Sequence, residues 1–160
     1  MLLLNKKIGF ITTVTQLGET IILGEIEKIM MQGADIFVIL LNPCLQNRNL
    51  SGFRPSTLDL LVFFPDSEQL IGFLAEIAEE QKRPALVLAP NFESKQPPYR
   101  FITSLLEKKR TYFVPFGLVN KKEGKPAIYS RLDLLLETCT AALEGHQLQP
   151  YIWENNPFPP

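Results

Sequence analysis

The stretch Leu58-Asp59-Leu60-Leu61-Val62-Phe63-Phe64-Pro65-Asp66-Ser67-Glu68-Gln69 decides the architecture. After Asp59 every position to Phe64 is apolar, so an extended segment here leaves neither face for water, the mark of a strand inside a parallel sheet covered on both sides. Asp66 with Gln69 three places on forms a reciprocal N-terminal cap, with Ser67 as the rival cap. Leu70, Phe73, Leu74 and Ile77 then recur at the spacing of one helix face. A buried strand leading straight into an amphipathic helix is the repeating unit of an α/β fold.

Four more apolar runs flank this one: Lys7 to Val14, Asp35 to Leu41, Ala85 to Ala89 and Thr111 to Val114. Helical stripes separate them, except across Asn42 to Thr57, which has none. Ile22, Ile26, Ile29 and Met30 follow the first run, with Thr15 or Thr20 as the cap and Gly33 as the stop. Pro97 and Pro98 suit a first helical turn, Tyr99, Ile102, Leu105 and Leu106 continue it, and Lys108-Lys109-Arg110 sits where the helix dipole favours cations. Ser130 reads as the cap of a last helix whose apolar face is Leu132, Leu135, Leu136, Cys139, Ala142 and Leu143, closed by Gly145. The run Ile36 to Leu41 reads as a buried strand. The expected architecture is one three-layer α/β domain over residues 1–149, with a five-stranded, mainly parallel sheet in flavodoxin-like or Rossmann-like order. Residues 150–160 form a tail rich in proline and aromatics.

Sixteen Lys and Arg against seventeen Asp and Glu leave a net charge of −1. That balance offers no electrostatic excess to hold nucleic acid or an anionic membrane. The longest apolar stretch is far short of the roughly 18–20 residues of a membrane helix. The opening Met1-Leu2-Leu3-Leu4-Asn5-Lys6-Lys7 puts its apolar patch before its basic pair, the reverse of a signal peptide, so a cytoplasmic location is expected. Cys44 and Cys139 alone, with the single His146, make neither a disulfide framework nor a closed four-ligand zinc site.

In an open α/β sheet ligands bind beyond the carboxyl ends of the strands. The first such loop holds Thr12, Thr13, Thr15, Gln16 and Gly18 before Glu19 and Thr20, hydroxyls and a glycine at a helix start where an anion is favoured. It lacks the adjacent Thr-Gly and following Asn-Thr of a flavodoxin phosphate loop, and Glu19 would repel a phosphate, so flavin is not expected and the cofactor stays unassigned. Helix capping accounts for the same residues. The second loop, Asn42 to Thr57, is longer than the about 12–15 residues usual for a structureless connection, and such loops tend to be functional. It contains Asn42, Cys44, Arg48 and Arg54. Cys44 is the candidate nucleophile, although no neighbour in sequence lowers its pKa, and His146 reads as a helix terminus or solvent residue. Asp66 ends the third run, Asn91 and Glu93 follow the fourth, and Phe116-Gly117 follows the fifth. Asp59 lies at the opposite end and reads as a turn cap.

Gly18-Glu19, Asp59-Leu60-Leu61 leading to Pro65-Asp66, and Pro115-Phe116 followed by Gly124-Lys125-Pro126-Ala127-Ile128 together resemble an uncharacterised, mostly archaeal family of unknown function, some of whose members are labelled thymidylate-synthase-like. The resemblance implies nucleotide or folate-type chemistry. Phe64 stands where that family carries His and Gly117 where it carries Cys, so chemistry needing those two side chains would be absent. A thymidylate synthase also needs a cysteine nucleophile and an arginine cluster, and Arg48 and Arg54 share a loop with Cys44.

Three readings follow. The first is a small-molecule-binding domain with a nucleotide-like ligand at the carboxyl ends of the strands. The second is an enzyme of nucleotide or one-carbon metabolism using Cys44. The third is an interaction module whose tail, with Tyr151, Ile152, Trp153 and Phe158, anchors a second copy as a homo-oligomer.

Overall fold

All five apolar runs become strands, and in the central ones alternate side chains have two buried faces to fill. The computed structural model describes residues 1–41, 57–66, 83–93, 104–105, 107–120, 126–149 and 152–153. Strands β1 (Lys7–Thr13), β2 (Asp35–Leu41), β3 (Leu60–Phe63), β4 (Ala85–Leu88) and β6 (Thr111–Phe113) form one sheet in the order β2-β1-β3-β4-β6, every neighbouring pair parallel. This is the flavodoxin-like order, in which the chain direction across the sheet switches between β1 and β3. Residues 67–82 and most of 94–106, where two helices are expected, lie outside the described residues, apart from helical Ser104 and Leu105.

Helix α1 (Val14–Leu17) is a single turn, followed by α2 (Thr20–Met31); a 3-10 turn (Leu132–Leu134) leads into α3 (Leu135–Leu143). Ile22, Ile26 and Ile29 of α2 and Leu135, Cys139 and Ala142 of α3 pack on Ile8, Phe10, Leu60, Val62, Phe64 and Val87. Phe10 and Phe64 stack with centroids 6.4 Å apart. The opposite face is buried too, since Ile11, Leu61, Phe63, Leu86 and Leu88 are no more than 1% exposed. Two full faces explain the unbroken apolar runs of β3 and β4.

Expectation and structure part at four places. β2 is an edge strand: Phe37, Val38 and Leu40 are 46%, 44% and 55% exposed, so its apolar run does not mark burial. Thr15 and Thr20 do not cap. The capping residue of α1 is Thr13, and α2 has Glu19 at its N-cap with Thr20 already inside the helix. Ser130 ends a strand rather than capping α3, and its hydroxyl donates to the Pro90 carbonyl at 2.7 Å. The fourth difference is a second sheet, in the order β5 (Asn91–Glu93), β8 (Pro126–Ser130), β7 (Phe116–Asn120), β9 (Ile152–Trp153). It grows from the carboxyl ends of the first sheet, β5 directly beyond β4 and β7 directly beyond β6. β9 pairs with β7 in parallel, so this sheet includes two residues of the tail.

Polar ties fix the amino ends of the strands. Asp59 accepts from the Lys7 amide at 2.8 Å, a tie between the starts of β1 and β3 rather than the local turn cap expected. The buried Arg83 guanidinium donates to the carbonyls of Pro84, Lys109 and Arg110 and to Thr111 Oγ1, tying the start of β4 to that of β6. Burial, and then the charge of Arg110, lower its pKa. The basic run at Lys108-Lys109-Arg110 thus supplies carbonyl acceptors at a strand entrance.

Glycine stops both α2 and α3. Gly145, at φ +88°, donates to Ala142 while His146 donates to Ala141, the paired bonds of a Schellman motif. Gly33, at φ +92°, ends α2, and a Cβ there would lie 3.1 Å from the Leu4 backbone. Gly33→Ala is therefore expected to destabilise the fold by about 1–3 kcal/mol, read by urea denaturation. Gly145→Ala, where a Cβ meets nothing within 4 Å, should cost only the about 1 kcal/mol of the left-handed backbone.

Candidate functional site at the carboxyl edge

The last residues of β1 cannot continue the sheet, because the chain must turn to cross over it. Thr13-Val14-Thr15-Gln16 has the spacing of a capping box, and both of its bonds form: Gln16 N donates to Thr13 Oγ1 at 3.1 Å and Thr13 N donates to Gln16 Oε1 at 3.0 Å. Gln16 does more than cap. Its Nε2 donates to the Phe64 carbonyl at 2.6 Å and to Asp66 Oδ2 at 3.1 Å. With the residue 3% exposed, one amide joins the loop after β1 to the loop after β3, across the point where the sheet direction switches. Both Nε2 hydrogens and Oε1 are engaged, so Gln16 positions the rim instead of reaching a ligand.

Thr12 is the anomaly. Its residue is 0% exposed, and among the described residues its Oγ1 and Glu25 Oε2 are the buried side-chain polar atoms without a hydrogen-bond partner. A buried hydroxyl left unpaired costs on the order of 1–3 kcal/mol. Sequence position alone marks Thr12 as a rim residue, but its lack of a partner is visible only in three dimensions.

Around it the other candidates divide. Thr13 is nearly buried with its Oγ1 serving the cap, whereas Thr15 is exposed. Gly18 closes α1, its amide donating to Val14 and Thr15 carbonyls. Its φ of −75° is open to any residue. Glu19 makes no side-chain capping bond, which leaves the first-turn amides of α2 without a capping side chain. Asp66 is exposed beyond its contact with Gln16.

Asn91 and Gly117 come together in the second sheet, on either side of Tyr129. The pairings Asn91↔Tyr129, Gly117↔Tyr129 and Gly117↔Trp153 make one row across β5, β8, β7 and β9. The Asn91 amide donates to the Pro65 carbonyl at 2.9 Å, so the row adjoins the loop that Gln16 holds. Sequence reading overlooks Tyr129 and marks Trp153 only as a tail anchor, because no pattern in the chain reveals a second sheet built on the carboxyl edge of the first.

Asn42, Cys44, Arg48 and Arg54 lie outside the described residues. Cys139 is buried in α3, and desolvation, followed by the charge of Glu137, pushes its thiol far above the ordinary range. His146 is exposed, with Glu144 Oε2 3.7 Å away. Among the described residues no group of three or more His, Cys, Asp or Glu could hold a metal ion. No helix among them is long and apolar enough to cross a membrane.

Neither a protein-family model nor a curated protein matches this chain. Among solved structures it is similar to a dipicolinate synthase subunit from Bacillus halodurans, at 20% sequence identity, with a TM-score of 0.70 and covering 98% of this chain and 100% of that one. At that identity the likeness establishes a shared fold over the whole length.

Removing the Gln16 amide should loosen the edge. Gln16→Ala leaves the Thr13 amide and the Phe64 carbonyl without their partner, for an expected loss of about 1–3 kcal/mol. Gln16→Glu sets a carboxyl against the Phe64 carbonyl and the Asp66 carboxylate, both of which disfavour its charge and raise its folded pKa above the unfolded value of about 4.3. Its stability deficit should therefore be smallest near about pH 4 and grow towards neutral pH, while that of Gln16→Ala stays comparatively flat. Denaturation curves across that range check the difference.

Proposed function

We propose that this protein is a small-molecule-binding flavodoxin-like domain, its ligand held at the carboxyl ends of β1 and β3 beside the row Asn91, Tyr129 and Gly117. The observation that carries the reading is the buried, unpartnered Thr12 hydroxyl at the switch point, the position where open α/β sheets take ligands. A bound molecule reaching that hydroxyl would recover a hydrogen bond that the protein alone forgoes. The first-turn amides of α2 favour an anionic group, and the exposed Asp66 carboxylate favours a donor such as a sugar hydroxyl. A nucleotide-like ligand carries both. Glu19 opposes a strongly charged phosphate at the same turn, which favours a ligand that places its anion away from that side chain.

A second reading is a component of a synthase, favoured by the full-length likeness to a dipicolinate synthase subunit. In that reading the ligand is a small dicarboxylate, and the chemistry is completed by residues outside the described set, Cys44 among them, or by a partner chain.

Thermal unfolding of the full chain against AMP, UMP, flavin mononucleotide, inorganic phosphate and dipicolinate tests both. A true ligand at about a hundred times its Kd adds about 2.7 kcal/mol, a rise of roughly 5–10 °C at this size. AMP or UMP is the expected hit, dipicolinate would favour the synthase reading, and flavin mononucleotide would redirect the proposal to a flavoprotein. Thr12→Val should abolish the ligand shift while leaving the unliganded protein as stable or up to about 1 kcal/mol more so, since it removes an orphaned hydroxyl. If Thr12→Val instead destabilises the unliganded chain, the hydroxyl has a structural role and the reading fails.

A further inference from the structure

The edge strand β2 breaks the usual design of a sheet edge. Asp-Ile-Phe-Val-Ile-Leu-Leu, residues 35–41, carries one charge at its start and neither lysine, proline nor further charge to guard the rest. Natural edges are guarded because an open strand templates pairing with another chain. The Asp35 amide donates to the Lys6 carbonyl at 2.8 Å, towards β1. With strand period two, Phe37, Ile39 and Leu41 also direct their backbone groups to β1, and Ile36, Val38 and Leu40 direct theirs outwards.

The same edge has an apolar flank beside it. On α2, Ile22, Ile26 and Ile29 face the sheet. Lys28 is hydrogen-bonded to Glu25 at 2.7 Å. That bond and the Glu25 charge raise its pKa, with further upward effect from Glu137 and Asp133, and α2 packs against α3 and the 3-10 turn, so this flank of α2 faces α3. Leu23 and Met30 lie on the opposite flank, 44% and 53% exposed, and α3 packs over β4 and β6, so Leu23 and Met30 look towards β2. Val38 and Leu40 stand on this face of the sheet, in register with Phe10 and Thr12.

We propose that the open edge of β2, with Leu23 and Met30 of α2, is the contact between two copies of this chain, β2 running antiparallel to β2 across a two-fold axis at Val38. The register is self-complementary. Val38 meets Val38, Ile36 meets Leu40 and Leu40 meets Ile36, all three being outward-directed residues that exchange backbone hydrogen bonds, and Asp35 falls opposite Leu41 rather than another carboxylate. The same patch serves both partners, as a closed two-fold contact requires. At roughly 200 Å² for a fully exposed large side chain, Leu23, Met30, Phe37, Val38 and Leu40 present roughly 500 Å². That is the greater part of the about 800 Å² each partner gives to a standard interface, before any backbone or polar rim is counted. The joined sheet has ten strands, five from each copy, and buries the open edge of β2.

Sedimentation velocity of the full chain decides it. The expected species at tens of micromolar has twice the 18.2 kDa chain mass, and Val38→Lys should return it to the monomer with an unchanged far-UV circular dichroism spectrum. Met31→Lys, on the solvent side of α2, should leave the dimer intact. Should Val38→Lys fail to fold, Val38→Cys decides instead: mild oxidation should produce an intermolecular disulfide that wild type and Met31→Cys do not form. A wild-type monomer at these concentrations, a dimer that survives Val38→Lys, or an uncrosslinked Val38→Cys overturns the proposal.

Discussion

One side-chain amide, that of Gln16, sets the geometry of the carboxyl edge of the parallel sheet. It closes the turn after β1 by capping α1 and reaches across the switch point to the Phe64 carbonyl and Asp66. The loop after β3 is further held by the Asn91 amide on Pro65, and the second sheet continues from that point. A glutamine can do this because its amide offers an acceptor and two donors on one rigid plane. Neither a carboxylate nor a hydroxyl could satisfy the Thr13 amide, the Phe64 carbonyl and Asp66 together.

The two ends of the parallel sheet are stabilised by different means, and the difference bears on function. At the amino end Asp59 and Arg83 pair with backbone groups of neighbouring strands, so polarity there is satisfied within the protein. At the carboxyl end Gln16 and Ser130 are satisfied, while Thr12 is buried without a partner and Asp66 faces solvent. Unpaired buried polarity is costly to folding and persists where something other than stability maintains it. Its location at the switch point is the observation on which the proposed binding edge rests.

The parallel sheet was legible in the chain because each strand shows up as an apolar run, and the five runs correspond to β1, β2, β3, β4 and β6. Strand order is not written in those runs. Nor is burial, since Ile36 to Leu41 has the composition of a central strand yet forms an edge, and composition cannot distinguish a side chain covered by its own chain from one left for a partner. The second sheet escaped because β5 and β7 follow β4 and β6 after an Ala-Pro or a Val-Pro pair, too closely for a local pattern to separate them. Gln16 stood out as a polar residue on the right edge, and Thr13-Val14-Thr15-Gln16 carries the capping spacing, but its bonds to Phe64 and Asp66 span 48 and 50 residues. Local periodicity has no access to such contacts.

Amide hydrogen exchange at Thr13, followed residue by residue in wild type and in Gln16→Ala, tests the central role of this amide most directly. The account predicts strong protection of the Thr13 amide in the wild-type protein and its selective loss in the variant, together with faster exchange at Asn91, while Val87 in β4 keeps its protection. A Thr13 amide that exchanges freely in the wild type, or that stays protected without Gln16, would contradict it.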